Sequence, residues 1–176
     1  MMHVDIPLLW EPTSDLYDAD TATLTGLYSR KIQIKAFMDS RENKKEIARN
    51  TESNETKLVT TRDDVAAWSR SRFEAIIKQY GFNVVEEKAD VIIKGEILEF
   101  YVTEDSTYKA NVGIKITAEN AAGKVIWQGM ITGKARRFGH SYDLENYYKT
   151  LSDAYLDAVN GLLKNEEFQI ALQNKG

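Results

Sequence analysis

Two long alternating runs joined by a short glycine turn constrain this chain more than anything else in it. In "TYKANVGIKITAEN" the side chains of Tyr108, Ala110, Val112, Ile114, Ile116 and Ala118 fall on one side, and Lys109, Asn111, Lys115, Thr117 and Glu119 on the other. "NAAGK" supplies the glycine of a tight turn, and "KVIWQGMITGKARRF" returns with Val125, Trp127, Gly129, Ile131, Gly133 and Ala135 in phase. Such a hairpin needs one buried and one wet face, so something apolar has to cover it. The small residues of the second strand admit a close backbone or helix.

The cover is legible in two stretches. After Asp63, read as a cap, apolar residues recur at Val65, Trp68, Phe73, Ile76, Ile77 and Tyr80, and Gly81 stands where a helix stops. After Asp143 a second stripe holds Leu144, Tyr147, Leu151, Ala154, Tyr155, Ala158, Leu162 and Leu163, and "EEFQIALQ" adds a short helix beyond Asn165. "KIQIKAFMD" and "FNVVE" read as further strands. In "ADVIIKGEILEFYVTE" the phase switches near Gly95 to Glu99, which requires either a bulge or a strand covered on both faces. The polar run "SRENKKEIARNTESNETK" reads as an exposed loop. The expected fold is α+β: a mainly antiparallel sheet of about five strands, with two long helices packed on one face and a short C-terminal helix. Residues 1–30 read as an extended arm or tether, with Pro7 and Pro12 opposing a helix, and 31–176 as a single domain.

Function is bounded mainly by exclusion. A net charge of -4 disfavours nucleic acid, whose phosphates call for a basic surface. With no cysteine and only two histidines, His3 and His140, disulfides, thiolate chemistry and ordinary zinc sites are disfavoured. Neither a metal nor a cofactor is expected. "DLYDAD" offers Asp15, Asp18 and Asp20, but Ser29 stands where a calcium loop counted from Asp18 needs glutamate. "MMHVDIPLLW" has neither the basic start nor the long apolar middle of a signal peptide. "ARRFGHSYD" collects Arg136, Arg137, His140, Ser141 and Asp143, yet lacks the second glycine of a nucleophile elbow; it reads as a strand end, a turn and a helix cap.

The run from "AWSRSRFEAIIKQYGFNVVEEKADVIIKGEILEF" through "YKANVGIKITAENAAGKVIWQGMITGKA" to "LSDAYLDAVNGLLKNEEFQIAL" resembles the YajG-like family of bacterial lipoproteins, over about residues 31–172. The resemblance implies a lipid-anchored envelope protein, in the periplasm on the outer membrane, with no assigned catalysis. The leader and lipobox cysteine of that family are not in this sequence, so the anchor rests on the resemblance. The expected function is non-enzymatic binding or assembly, with an envelope protein, a cell-wall component or a second copy as partner. Its surface residues are expected among Trp10, Leu98, Phe100, Val102, Arg136, Arg137 and His140. The alternatives are a small-ligand carrier with a pocket between helices and sheet near Trp68, Trp127 or Tyr155, and an envelope hydrolase using acidic residues or His140.

Overall fold

A computed structural model describes residues 2–13, 17–139 and 143–174. In chain order its elements are β1 (Met2–Asp5), α1 (Thr21–Leu24) running into a 3-10 turn, β2 (Lys31–Ile34), β3 (Met38–Asp39), β4 (Glu46–Asn50), β5 (Lys57–Thr60) and α2 (Val65–Tyr80). There follow β6 (Asn83–Val84), β7 (Val91–Glu104), β8 (Thr107–Asn120), β9 (Val125–Phe138), α3 (Leu144–Lys164) and α4 (Glu166–Gln173).

The expectation of about five mainly antiparallel strands is overturned, because among the described residues the sheet has nine strands and is mixed. Its axis is β7, which pairs antiparallel with β8 along one side. Along the other side three short strands lie end to end and parallel to it: β2 at Val91 to Ile93, β3 at Glu96 and Ile97, and β4 at Val102 to Glu104. Beyond β4 come β5, antiparallel, and β1, parallel to β5. The helical layer is likewise corrected, to four segments of 4, 16, 21 and 8 residues rather than two long helices and a short one.

The segment read as an exposed loop contains β4 and the first residue of β5. Ile47, Ala48 and Asn50 are buried although their neighbours are polar, because β4 is bonded on both sides and the ladder satisfies its backbone whatever its side chains are. The phase switch in β7 is a bulge. Ile97 opposes Ile114 and Glu99 opposes Gly113, so Leu98 is the extra residue, and Phe100, Val102 and Glu104 turn onto the same face as Val91, Ile93 and Ile97.

Helix ends follow local chemistry. Asp64, not Asp63, caps α2 by accepting from the Ala67 amide, while Asp63 accepts from the Leu8 amide at 2.7 Å and pins the N-terminal segment. Gly81 closes α2 at φ 107°, the left-handed geometry that favours glycine. Asp143 caps α3 and Asn165 caps α4. Within residues 1–30, Ile6, Leu8, Leu24 and Leu27 are buried in the common core, and Met2–Asp5 forms a sheet edge.

The core lies between the helices and one sheet face. Beyond the bulge, burial runs through Tyr108, Ala110, Val112, Ile114, Ile116 and Ala118 on β8 and continues at Ile131 and Gly133 on β9. On the opposite face Lys94, Glu99, Lys115, Gln128, Met130, Thr132, Arg136 and Phe138 are all exposed.

Candidate functional site

The densest polar chemistry is buried where β4, β7, β8 and α3 meet. The register sets Glu104 opposite Tyr108 on one side and Asn50 on the other. The Glu104 carboxyl is fully buried; its Oε1 accepts from Asn50 Nδ2 at 2.8 Å and from the Tyr147 hydroxyl at 2.5 Å, while Oε2 accepts no hydrogen bond within 3.5 Å among the described residues. The Tyr147 ring meets Tyr108 edge-on at 5.1 Å, and the Tyr108 hydroxyl accepts from the Asp143 amide at 3.0 Å. Burial, and next Glu104, push both phenols well above the usual tyrosine range. Because Glu104, Tyr108 and Tyr147 are sealed from solvent, no substrate reaches them in this conformation; the cluster fixes one end of the hairpin to β4 and α3.

Burial also raises Tyr80, Tyr148 and Tyr155, as it does Tyr101, whose hydroxyl donates to Glu46 Oε1 at 2.5 Å. A phenol whose folded pKa lies above its unfolded value stabilises the fold fully below about pH 10, and that contribution is lost as pH rises toward the folded value. Alkaline titration is therefore expected to ionise these six tyrosines in one cooperative step, coincident with loss of far-ultraviolet circular dichroism. A smooth titration centred near pH 10 with the dichroism intact would contradict the enclosure described here.

The residues singled out in the sequence are dispersed. Arg137 lies on the core side of β9 and donates through Nε to Asn146 Oδ1 at 2.7 Å and through Nη1 to Thr13 Oγ1 at 3.0 Å, tying the N-terminal segment to α3. Arg136 points to solvent on the opposite face. His140 and Ser141 lie outside the described residues. Trp10 packs against Trp68 and Tyr155 at 6.0 and 6.4 Å, with the Arg72 guanidinium over its ring, so it anchors the segment that carries it.

The apolar surface patch expected of Leu98, Phe100 and Val102 does not exist as a unit. The bulge turns Phe100 and Val102 inward, to 1% and 0% exposure, and leaves Leu98 outside at 43%. Of the "DLYDAD" carboxylates, Asp20 caps α1, Asp18 pairs with Lys164 at 2.7 Å, and Asp15 lies outside the described residues. Among the described residues no group of His, Asp and Glu is arranged to hold a metal.

Sequence reading missed the Glu104 cluster. The available signal was Glu104 itself, in phase with Phe100 and Val102, once the bulge is placed at Leu98.

Between helices and sheet, the void lined by Ile32, Phe73, Ile77, Ile93, Leu163 and Phe168 amounts to about 10 Å³, too little for a small-molecule ligand. Larger hollows are open and superficial. One of about 590 Å³ on the outer face is flanked by Lys35, Met38, Lys94 and Lys115. Another, of about 190 Å³, runs between β9 and α3. Among the described residues the most exposed large apolar side chain is Phe138, 88% accessible at the end of β9. Among the described residues no helix is long and apolar enough to cross a membrane.

Comparison with known proteins gives a family and a fold. The family model described as "Uncharacterized lipoprotein" matches residues 20–173. A solved protein from Xanthomonas campestris, XCC0632, shares the fold at 11% identity and TM-score 0.59, over 93% of this chain and 90% of that one. An uncharacterized protein of solved structure matches at 6% identity and TM-score 0.55, over 93% and 98%. A PelC dodecamer from Paraburkholderia phytofirmans matches at 14% identity and TM-score 0.50, over 84% and 88%. No curated protein matches the sequence significantly.

Proposed function

The chain belongs to this family of uncharacterized lipoproteins, and from that premise we propose that it is a non-enzymatic binding or assembly domain, held by a lipid anchor in the bacterial periplasm at the outer membrane. The observation that supports a binding role is the bare outer face of β7, β8 and β9. All three strands are 14 residues long, and their outward side chains are exposed or half-buried while the hydrophobic core lies on the other side. Phe138 and Met130 project from this face at 88% and 51% exposure. Apolar side chains kept in water on the outer face of a strand suit recognition better than folding. The partner class in this reading is an envelope protein.

The reading is tested by crosslinking the lipidated protein to its neighbours in whole cells. Phe138→Ala is expected to leave stability within about 0.5 kcal/mol of the parent, as for most exposed positions, and to reduce the yield of a specific crosslinked partner several-fold. A lipidated protein that gives no specific crosslink from any position on this face would refute the binding role.

A further inference from the structure

Among the described residues β9 pairs with β8 alone, which leaves its other edge open. In an antiparallel ladder each residue sends its N–H and C=O to the same side, and successive residues alternate. The Lys134 amide is bonded at 3.0 Å to Asp157 Oδ2 of α3, away from β8, which sets the phase. Gln128, Met130 and Thr132 therefore also direct their backbone groups outward. All three are exposed, and among the described residues none has a backbone bond to a further segment.

Proteins usually blunt such an edge with a charge, a proline, a bulge or a cover. Asp157 covers it at Lys134, but Ile126 to Gly133 contains neither charge nor proline, and the ladder is regular from Trp127 onward. Beside this open stretch runs the groove of about 190 Å³ between β9 and α3, with Trp127, Ile131, Ala158 and Leu162 among its lining residues. Gly161 leaves it roomy, since a Cβ there would meet nothing within 4 Å.

Charge selects the occupant. From Ala121 to Gly139 the chain has four basic residues, Lys124, Lys134, Arg136 and Arg137, and no acidic one, although the whole chain carries -4. Lys124, Lys134 and Arg136 are in no ion pair among the described residues. Two copies joined antiparallel through this edge about Met130 would set Lys124 against Arg136, like charge against like, which disfavours a second copy.

We propose that the open edge of β9, over residues 127–132, accepts as an added strand an extended segment of a partner protein with apolar side chains at alternate positions and acidic side chains at its flanks. Main-chain bonds to Gln128, Met130 and Thr132 supply the pairing, the groove takes an apolar side chain, and Lys124 and Lys134 select the acidic flanks. This rests on the binding reading above and narrows it to one edge.

The probes are two labelled eight-residue peptides with the same alternating valine and threonine centre, one flanked by glutamates and the other by lysines. The glutamate peptide is expected to bind at least ten-fold more tightly, to lose affinity with added salt, and to slow hydrogen exchange at Gln128, Met130 and Thr132. Thr132→Pro removes an outward N–H without touching the β8 ladder; it should abolish binding, whereas Thr132→Ala should not. If the proline variant fails to fold, Lys124→Glu with Lys134→Glu decides, because it should reverse the preference. Equal affinity for both peptides, protection elsewhere on the surface, or a dimer that Thr132→Pro dissolves would overturn the proposal. A lipidated Thr132→Pro protein that still crosslinks its partner in cells would refute this edge while leaving the binding role standing.

Discussion

Gly133→Val is expected to destabilise the protein by at least about 3 kcal/mol, or roughly 6–12 °C in Tm for a domain of this size. At Gly133 the sheet touches the backbone of α3. A Cβ there would stand 1.8 Å from the Ala154 carbonyl oxygen and 2.6 Å from the Ala158 amide nitrogen. Both are main-chain atoms inside a helix, so no side chain can swing aside; the helix has to lift off β9 or the strand has to bend. Lifting α3 would also strain the Lys134 amide bond to Asp157 and the Tyr147 bond to Glu104. Gly161→Ala is the internal control. It is exposed within the same helix with nothing near its Cβ position, and alanine there should raise stability by up to about 1 kcal/mol through helix propensity alone. Thermal denaturation of the two variants separates close packing from propensity, and a Gly133→Val protein that melts with the parent would refute the close approach.

Glu104→Ala is expected to cost about 4 kcal/mol, since it removes the shared acceptor of two buried donors and leaves a cavity between sheet and helix. Asn50 and Tyr147 would each be left with a buried donor deprived of its Glu104 acceptor. Tyr147→Phe removes one donor only and should cost about 1 kcal/mol, the range for a single intramolecular hydrogen bond. Glu104→Gln keeps one carbonyl acceptor and should fall between the parent and the alanine variant. Urea denaturation of the single variants and of the Glu104→Ala, Tyr147→Phe double variant measures the coupling. Additive losses, or a Glu104→Ala loss below about 1 kcal/mol, would show that the cluster does not hold this corner.

The architecture was unevenly legible. In β8 the alternation is uninterrupted, and every apolar residue read onto one face is buried there. β4 was illegible for a physical reason: "EIARN" has one large apolar residue, and the strand exists because β5 and β7 bond it from both sides. Pairing of that kind is carried by the backbone, which is the same in every sequence, between segments far apart in the chain. The parallel pairings of β3 and β4 with β7 are hidden in the same way, which is why nine strands form where about five are legible.

Of the seven residues expected at a binding surface, the misplacement of Phe100 and Val102 follows from a single bulged residue, Leu98. The side-chain period in a strand is two, so one inserted residue reverses everything after it, and the sequence shows the reversal without showing which face is buried. Phe138, the most exposed large apolar side chain among the described residues, is not legible as a surface anchor because it stands in a charged run that reads as a strand end and turn.

The sequence alone settled the apolar periods, the stop at Gly81, the cap at Asp143 and the likeness to a lipoprotein family, because each is written in residues within a few positions of one another. Tertiary structure alone decided which strands share the sheet, which face Glu104 takes and which edge of β9 stays open. Those depend on long-range pairing and on one bulge, and neither backbone bonding nor a reversal of face leaves a local mark in side-chain chemistry.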